Sequence, residues 1–253
     1  GVLVFFIPRP AAKAKALAQA LAKLTIASVE QPLFDYQPLA DDKTSARLLT
    51  GVDMLIFVST AAVEFAHAKF AAENWQYKLI IAVGKATQKA LYLLGINAVI
   101  CPEQENSEGV LALPELTDKN NPLSAKTITI VRGNDGREFL AEQLKKRGAT
   151  VNYLESYQLV WRAFTKDMSK QWFSQQINCI VVTSNAILEK LVQLILAQPE
   201  QTYTKFWLHQ CQWITVSQRI TDNAKKLGLT HVSTTAGASD QVLTAQLQAL
   251  QKS

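Results

Sequence analysis

Residues 127–148 read TITIVRGNDGREFLAEQLKKRG, and this stretch decides the fold. Thr127–Val131 is a short, apolar, β-branched run of the kind that forms a buried strand. From Arg137 to Arg147, Leu140 and Leu144 fall on one helical face, and Gly148 then suits the left-handed turn that ends a helix. Lys145, Lys146 and Arg147 crowd the last turn, where cations offset the helix dipole. Strand, helix, glycine and strand again is the α/β signature. The same unit recurs along the chain. Runs at Val2–Ile7, Met54–Val58, Leu79–Val83, Ala98–Ile100, Ile180–Thr183 and Trp213–Val216 predict further strands of a parallel sheet covered on both faces. Gly95 and Gly228 end helices Lys85–Leu94 and Arg219–Leu227, while Pro10 fits the first turn of a helix marked by Leu17, Leu21 and Leu24.

The chain also repeats itself. Phe6-Ile7-Pro8-Arg9 is echoed by Ile130-Val131-Arg132-Gly133, and Leu33-Phe34-Asp35-Tyr36-Gln37 by Leu154-Glu155-Ser156-Tyr157-Gln158. Ile56–Ser59 matches Val181–Ser184, Ile81–Gly84 matches Ile214–Ser217, and Asn106–Leu111 matches Ala238–Leu243. Five matches in the same order, at offsets drifting from 121 to 133, argue for two homologous halves that meet near Thr117–Ser124, each about the size a domain needs.

Composition bounds the function. The 253 residues are 48% hydrophobic and 19% charged, which excludes disordered and collagen-like classes and leaves ample material for cores. Cys101, Cys179 and Cys211 are widely spaced and form neither a disulfide framework nor a zinc pattern, which favours a reducing compartment. His67, His209 and His231 share no ligand spacing with them, so no metal is expected. No apolar run reaches a membrane span, and Val2–Ile7 lacks the basic flank of a signal peptide; Gly1 in place of Met suggests a processed or cloned terminus. A cytoplasmic protein is expected. The 26 Lys and Arg against 21 Asp and Glu give +5, compatible with an anionic ligand, but no basic-aromatic cluster suggests nucleic acid.

Chemistry in an open parallel sheet sits beyond the carboxyl ends of its strands. There the chain places Ser59-Thr60, Gly84-Lys85-Ala86-Thr87, Ser184-Asn185 and Ser217-Gln218-Arg219. Helix N-termini at these turns offer free N–H groups to carboxylates or phosphates. The same Ser and Asn residues also read as ordinary helix caps. Gly133-Asn134-Asp135-Gly136-Arg137 lacks the spacing of a nucleotide-binding loop and reads equally as a tight turn. Arg9 and Arg132 end the first strand of each half, where an exposed guanidinium could grip a carboxylate, or could simply pack along its stem. No nucleophile elbow or carboxylate pair stands out, so an enzyme here would work mainly by binding and positioning. A non-catalytic two-domain binding protein for an anionic small molecule is the alternative.

These motifs resemble the uroporphyrinogen-III synthase family. The resemblance runs through Pro8-Arg9-Pro10, Phe57–Val63, Val83–Thr87, Ser107-Glu108-Gly109, Val131–Asn134 with Gly136-Arg137, Glu155–Gln158, Thr183-Ser184 and Val216-Ser217 through Gly228. Ser217 stands where the family usually has Gly, and Arg219-Ile220 replaces a commoner pair of hydroxyl residues. The resemblance implies two flavodoxin-like α/β domains joined by a two-stranded linker. One would comprise about 1–35 plus 162–253 and the other 38–158, with linkers near 35–38 and 157–162, so that the halves exchange their first βα units. It implies a monomer without a cofactor that closes the linear tetrapyrrole hydroxymethylbilane in the cleft between domains, losing water and inverting the last pyrrole ring. The acetate and propionate groups of that substrate give meaning to Arg9, Arg132, Asn134 and the strand-end turns. Tyr157 resembles the family's cleft tyrosine and is the candidate acid, since a phenol is protonated at neutral pH.

Overall fold

A computed structural model describes residues 2–253; Gly1, and the reading of the terminus that rests on it, lie outside the described residues. The strands are β1 (Phe5–Ile7), β2 (Ser28–Glu30), β3 (Phe34–Pro38), β4 (Val52–Phe57), β5 (Tyr77–Ala82), β6 (Thr127–Gly133), β7 (Thr150–Trp161), β8 (Cys179–Val182), β9 (Gln212–Thr215) and β10 (Val232–Thr234). They form two compact units, one reaching to Asp35 and resuming at Trp161–Ser253, the other spanning Tyr36–Val160.

The first unit holds a sheet ordered β10-β9-β8-β1-β2 with every neighbouring pair parallel. Counted from β2, with the strands renumbered within the unit, this is the flavodoxin-like order 2-1-3-4-5. Phe5, Ile7 and Val181 face one side of the sheet with Leu17, Leu21, Leu243 and Leu247. Phe6 points to the other side, against Trp172 at 4.8 Å.

The second unit orders its sheet β3-β7-β6-β4-β5, with β7/β6, β6/β4 and β4/β5 parallel. Here β6 and β7 take the first two places that β1 and β2 hold in the other unit. Leu55 and Phe57 pack with Leu91, Val131 and Leu154 on one face, while Met54 and Ile56 pack with Ile128, Ile130, Leu140 and Leu144 on the other. Burial on both faces is why β4 reads as a continuous apolar run, each large side chain contributing about 1.5–3 kcal/mol.

Several expectations are corrected. Ala98–Ile100 is not a strand: Ile100 alone bridges Ile81, with its N–H and C=O bonded to Ile80 and Ala82. The next N–H of that ladder belongs to Pro102, which has none. Pro10 precedes the helix Ala11–Ala22 with an extended ψ of 147° instead of lying in its first turn. The helix expected from Arg137 begins at Phe139, because Gly133–Arg137 are held as a loop. Thr117–Ser124, where the sequence halves meet, lies inside the second unit, before β6. Gly148 and Gly228 do end their helices with φ of +98° and +102°.

The two connections run side by side as β3 and β7. Leu39 N–H bonds to Ser156 O at 3.2 Å and Arg162 N–H to Leu33 O at 2.9 Å, so one strand descends in number as the other rises. Arg162 also grips Asp35 with two bonds of 2.9 and 3.0 Å, which holds that carboxyl below its ordinary pKa.

Candidate active site

In the second unit the carboxyl ends of neighbouring strands come into line. Phe57 pairs with both Ala82 and Val131, and Gly133 pairs with Tyr157. Ser59, Gly84 and Gly133 therefore leave the sheet along one edge, with Tyr157 beside them.

Tyr157 is held on this edge by a hydroxyl contact and by two aromatic rings. Ser59 caps the helix Thr60–Lys69 by accepting from Ala62 N–H at 3.1 Å, and the same oxygen lies 3.1 Å from the Tyr157 hydroxyl. The phenol ring meets Tyr36 edge-on at 5.0 Å between centroids and Phe65 at 5.8 Å. Gly133 supplies the space: a Cβ there would stand 2.7 and 2.8 Å from two carbons of the Tyr157 ring. A register shift between Arg132 and Gly133 sets this approach. Burial pushes the Tyr157 pKa up, only partly offset by the Ser59 bond and the nearby Arg132 charge. The phenol thus keeps its proton well into alkaline solution. Its backbone is still paired in the sheet at Gly133, so Tyr157 is a residue of the packed unit and not of a loose connector.

Arg132 departs from the exposed grip that its position suggests. Only 6% of the residue is exposed. Its guanidinium donates to Gly133 O, Gly136 O and Arg137 O at 3.2, 3.3 and 3.4 Å, lies 3.3 Å from Glu138, and covers the Tyr153 ring at 4.3 Å. Burial and a 2.6 Å bond to Glu138 push the Tyr153 pKa up to about 12. Arg132 is an internal post for the loop that presents Asn134 to solvent. Arg9 is likewise buried, with its guanidinium 2.6 Å from Asp240. Neither arginine is the exposed cation expected.

The remaining candidates divide by their surroundings. Gly84 makes no side-chain cap, and the backbone N–H of Lys85 donates to Glu105, so the chain's own carboxylate already sits on that helix start. Lys85 is exposed and Thr87 buried. In the first unit Val182 pairs with Thr215, which brings Ser184 and Ser217 to adjacent points of one edge. Both serve as helix caps, accepting from Ile187 at 3.2 Å and Ile220 at 3.3 Å. Asn185 accepts from Asn223 at 3.0 Å, while Gln218, bonded to Asp222, and Arg219 are exposed, as Thr60 partly is.

Sequence reasoning missed Tyr36, Phe65, Glu105 and the role of Gly133. Tyr36 had a signal: it is the repeat mate of Tyr157, and the two rings touch. Glu108 and Asp240 had one too, as the matching acids of the last repeat, and each receives an arginine, Glu108 from Arg137 in two bonds of 2.7 and 3.2 Å. Gly133 had none, because the ring that needs the space comes from a different strand.

Comparison with known proteins agrees with this architecture. A family model described as uroporphyrinogen-III synthase HemD matches residues 15–244. The uroporphyrinogen-III synthase of Salmonella typhimurium is 31% identical over 252 residues, covering 96% of this chain and 98% of that protein. That of Escherichia coli is 29% identical over 253 residues with the same coverage. Among solved structures, a Thermus thermophilus uroporphyrinogen III synthase variant aligns over 100% of both chains with a TM-score of 0.65 at 15% identity. The Helicobacter pylori uroporphyrinogen-III synthetase aligns over 99% of this chain and 100% of its own with a TM-score of 0.58 at 12% identity.

Proposed function

Because the chain belongs to the uroporphyrinogen-III synthase family, we propose that Tyr157 is the proton donor of its reaction and that the strand-end turns hold the carboxylates of its substrate. The reaction is the cyclisation of hydroxymethylbilane to uroporphyrinogen III, with loss of water and inversion of the last pyrrole ring, in tetrapyrrole biosynthesis. The family assignment disfavours a non-catalytic binding protein.

One observation carries the reading of Tyr157: a phenol seated at the carboxyl edge of the sheet, ring-packed, and kept protonated by burial. Such a group can give its proton to the departing hydroxyl of the substrate. Carboxylate binding in one unit falls to the remaining backbone N–H groups of the turns at Ser59-Thr60 and Gly84–Thr87 and to the exposed side chains of Lys85 and Asn134, with the Lys85 N–H held by Glu105 and the Thr87 side chain buried. In the other unit it falls to Ser184, Asn185, Ser217, Gln218 and Arg219. Arg9 and Arg132, with their hydrogen bonds spent inside their own units, contribute by shaping the turns. A monomer in the cytoplasm is part of this reading, and the three unpaired cysteines support its reducing compartment.

The test is turnover of freshly generated hydroxymethylbilane, with the product isomers separated by chromatography. Uroporphyrinogen III is the expected product. Tyr157→Phe should lower kcat roughly 10–100-fold, the low end of general-acid assistance, while the product it makes stays inverted. Loss of wild-type activity from Tyr157 ionisation should set in at higher pH than the ionisation of a free phenol, since burial moves it upward. A Tyr157→Phe enzyme with wild-type kcat would reduce Tyr157 to a wall of the site.

A further inference from the structure

Ser59 touches two groups at once. Its oxygen accepts the Ala62 N–H at 3.1 Å and lies 3.1 Å from the Tyr157 hydroxyl. The cap commits one of its two lone pairs, and the ten-residue helix Thr60–Lys69 places it at a positive dipole end. Both effects weaken the oxygen as an acceptor and strengthen its O–H as a donor. Either hydroxyl can donate in this pair, and when the phenol turns its own proton to the substrate the donor is Ser59.

We propose that Ser59 is a positioning residue for Tyr157, donating its hydroxyl proton to the phenol oxygen so that the phenol's own proton is the one given to substrate. The proposal rests on the reading of Tyr157 as proton donor. In that step the phenol O–H bond breaks and its proton joins the leaving hydroxyl. The carbon–oxygen bond of the hydroxymethyl group breaks with its electron pair on that oxygen, and water departs. A phenolate and a cationic pyrrole fragment remain, and a proton released from the pyrrole system when the ring closes restores the phenol. Ser59 steadies the phenolate in the interval, with a hydrogen bond that strengthens as charge develops. Ring contacts with Tyr36 and Phe65, and the space at Gly133, keep the phenol from turning away from Ser59.

A kinetic cycle on hydroxymethylbilane tests this with Ser59→Ala, Tyr157→Phe and the double variant. Ser59→Ala should lose roughly 10-fold in kcat, the worth of one hydrogen bond to a forming anion, with KM within about twofold of wild type. In the Tyr157→Phe background the same change should cost nothing further in kcat, and Ser59→Thr should restore most of the wild-type rate. Should loss of the cap unfold Ser59→Ala, Ser59→Gly removes the donor with much less cost to helix capping. Equal losses in both backgrounds, or a loss confined to KM, would overturn the role of Ser59 while Tyr157 remains the donor. Wild-type kcat in Tyr157→Phe would instead overturn the donor reading, and the Ser59 proposal with it.

Discussion

The turn after β1 and the turn after β6 solve one problem in two ways. Each follows the first strand of its sequence half, and each must be tied to a helix that opens with a serine and an acid, Ser239-Asp240 in one unit and Ser107-Glu108 in the other. In the first unit a single residue does this: Arg9 reaches Asp240 at 2.6 Å. In the second unit the work is divided. Arg137 takes Glu108 in a two-bonded grip, and Arg132 turns inward to three loop carbonyls and the Tyr153 ring. The extra arginine makes the second turn a built loop, and the residue that opens it, Gly133, is the one that admits the Tyr157 ring. The two sequence halves thus differ where the second unit seats its tyrosine.

The sharpest way to break this comparison is to remove the two arginines separately. Arg132→Ala deletes a buried guanidinium and leaves its carbonyl acceptors without their donor, so it should cost about 3 kcal/mol in urea unfolding and lower kcat by disturbing the seat of Tyr157. Arg9→Ala removes one bond to a carboxylate that is 43% exposed, and should cost about 1–2 kcal/mol, with kcat nearly unchanged. Equal costs for the two would mean that the turns are equivalent after all. The smallest effect concerns the caps. Ser184→Ala and Ser217→Ala should each cost about 1 kcal/mol of stability, and any rise in KM should stay small because the backbone N–H donors survive. If either serine variant abolished turnover while staying folded, that hydroxyl would be part of the chemistry.

The division of the two tyrosines of the repeat carries the same lesson. Tyr36 and Tyr157 hold matching places in the two sequence halves, yet both belong to the second unit and pack against each other. Exchange of the first two strands between units brings them together: β7 crosses to pair with β6 beside β4, and β3 lies along β7. A repeat read along the chain predicts equivalent positions, but not that two equivalents share one cluster.

Local signals in the chain sufficed for the elements and their class. Apolar runs became β1, β4, β5, β6, β8 and β9 because burial on both faces leaves no room for polar alternation, and helix ends followed glycines that alone adopt positive φ cheaply. The short or mixed strands β2, β3, β7 and β10 were not legible, since three half-exposed residues, or a strand that begins in the sheet and ends as a connector, carry no clear period. Candidate turns were legible as types of residue at strand ends, while the state of each was not. Whether Arg132 faces solvent or the carbonyls of its own loop, whether the helix start at Lys85 is open or held by Glu105, and whether Gly133 only opens a tight turn or also leaves a gap for a ring depend on how the folded chain packs around them. Those contacts cost chain entropy to form and are fixed only when the sheet registers bring β6, β7 and the Ser59 turn to one edge. The sequence by itself therefore determined which elements form and what chemistry their ends offer, and the tertiary structure decided which of those ends are already occupied and which side chain they surround.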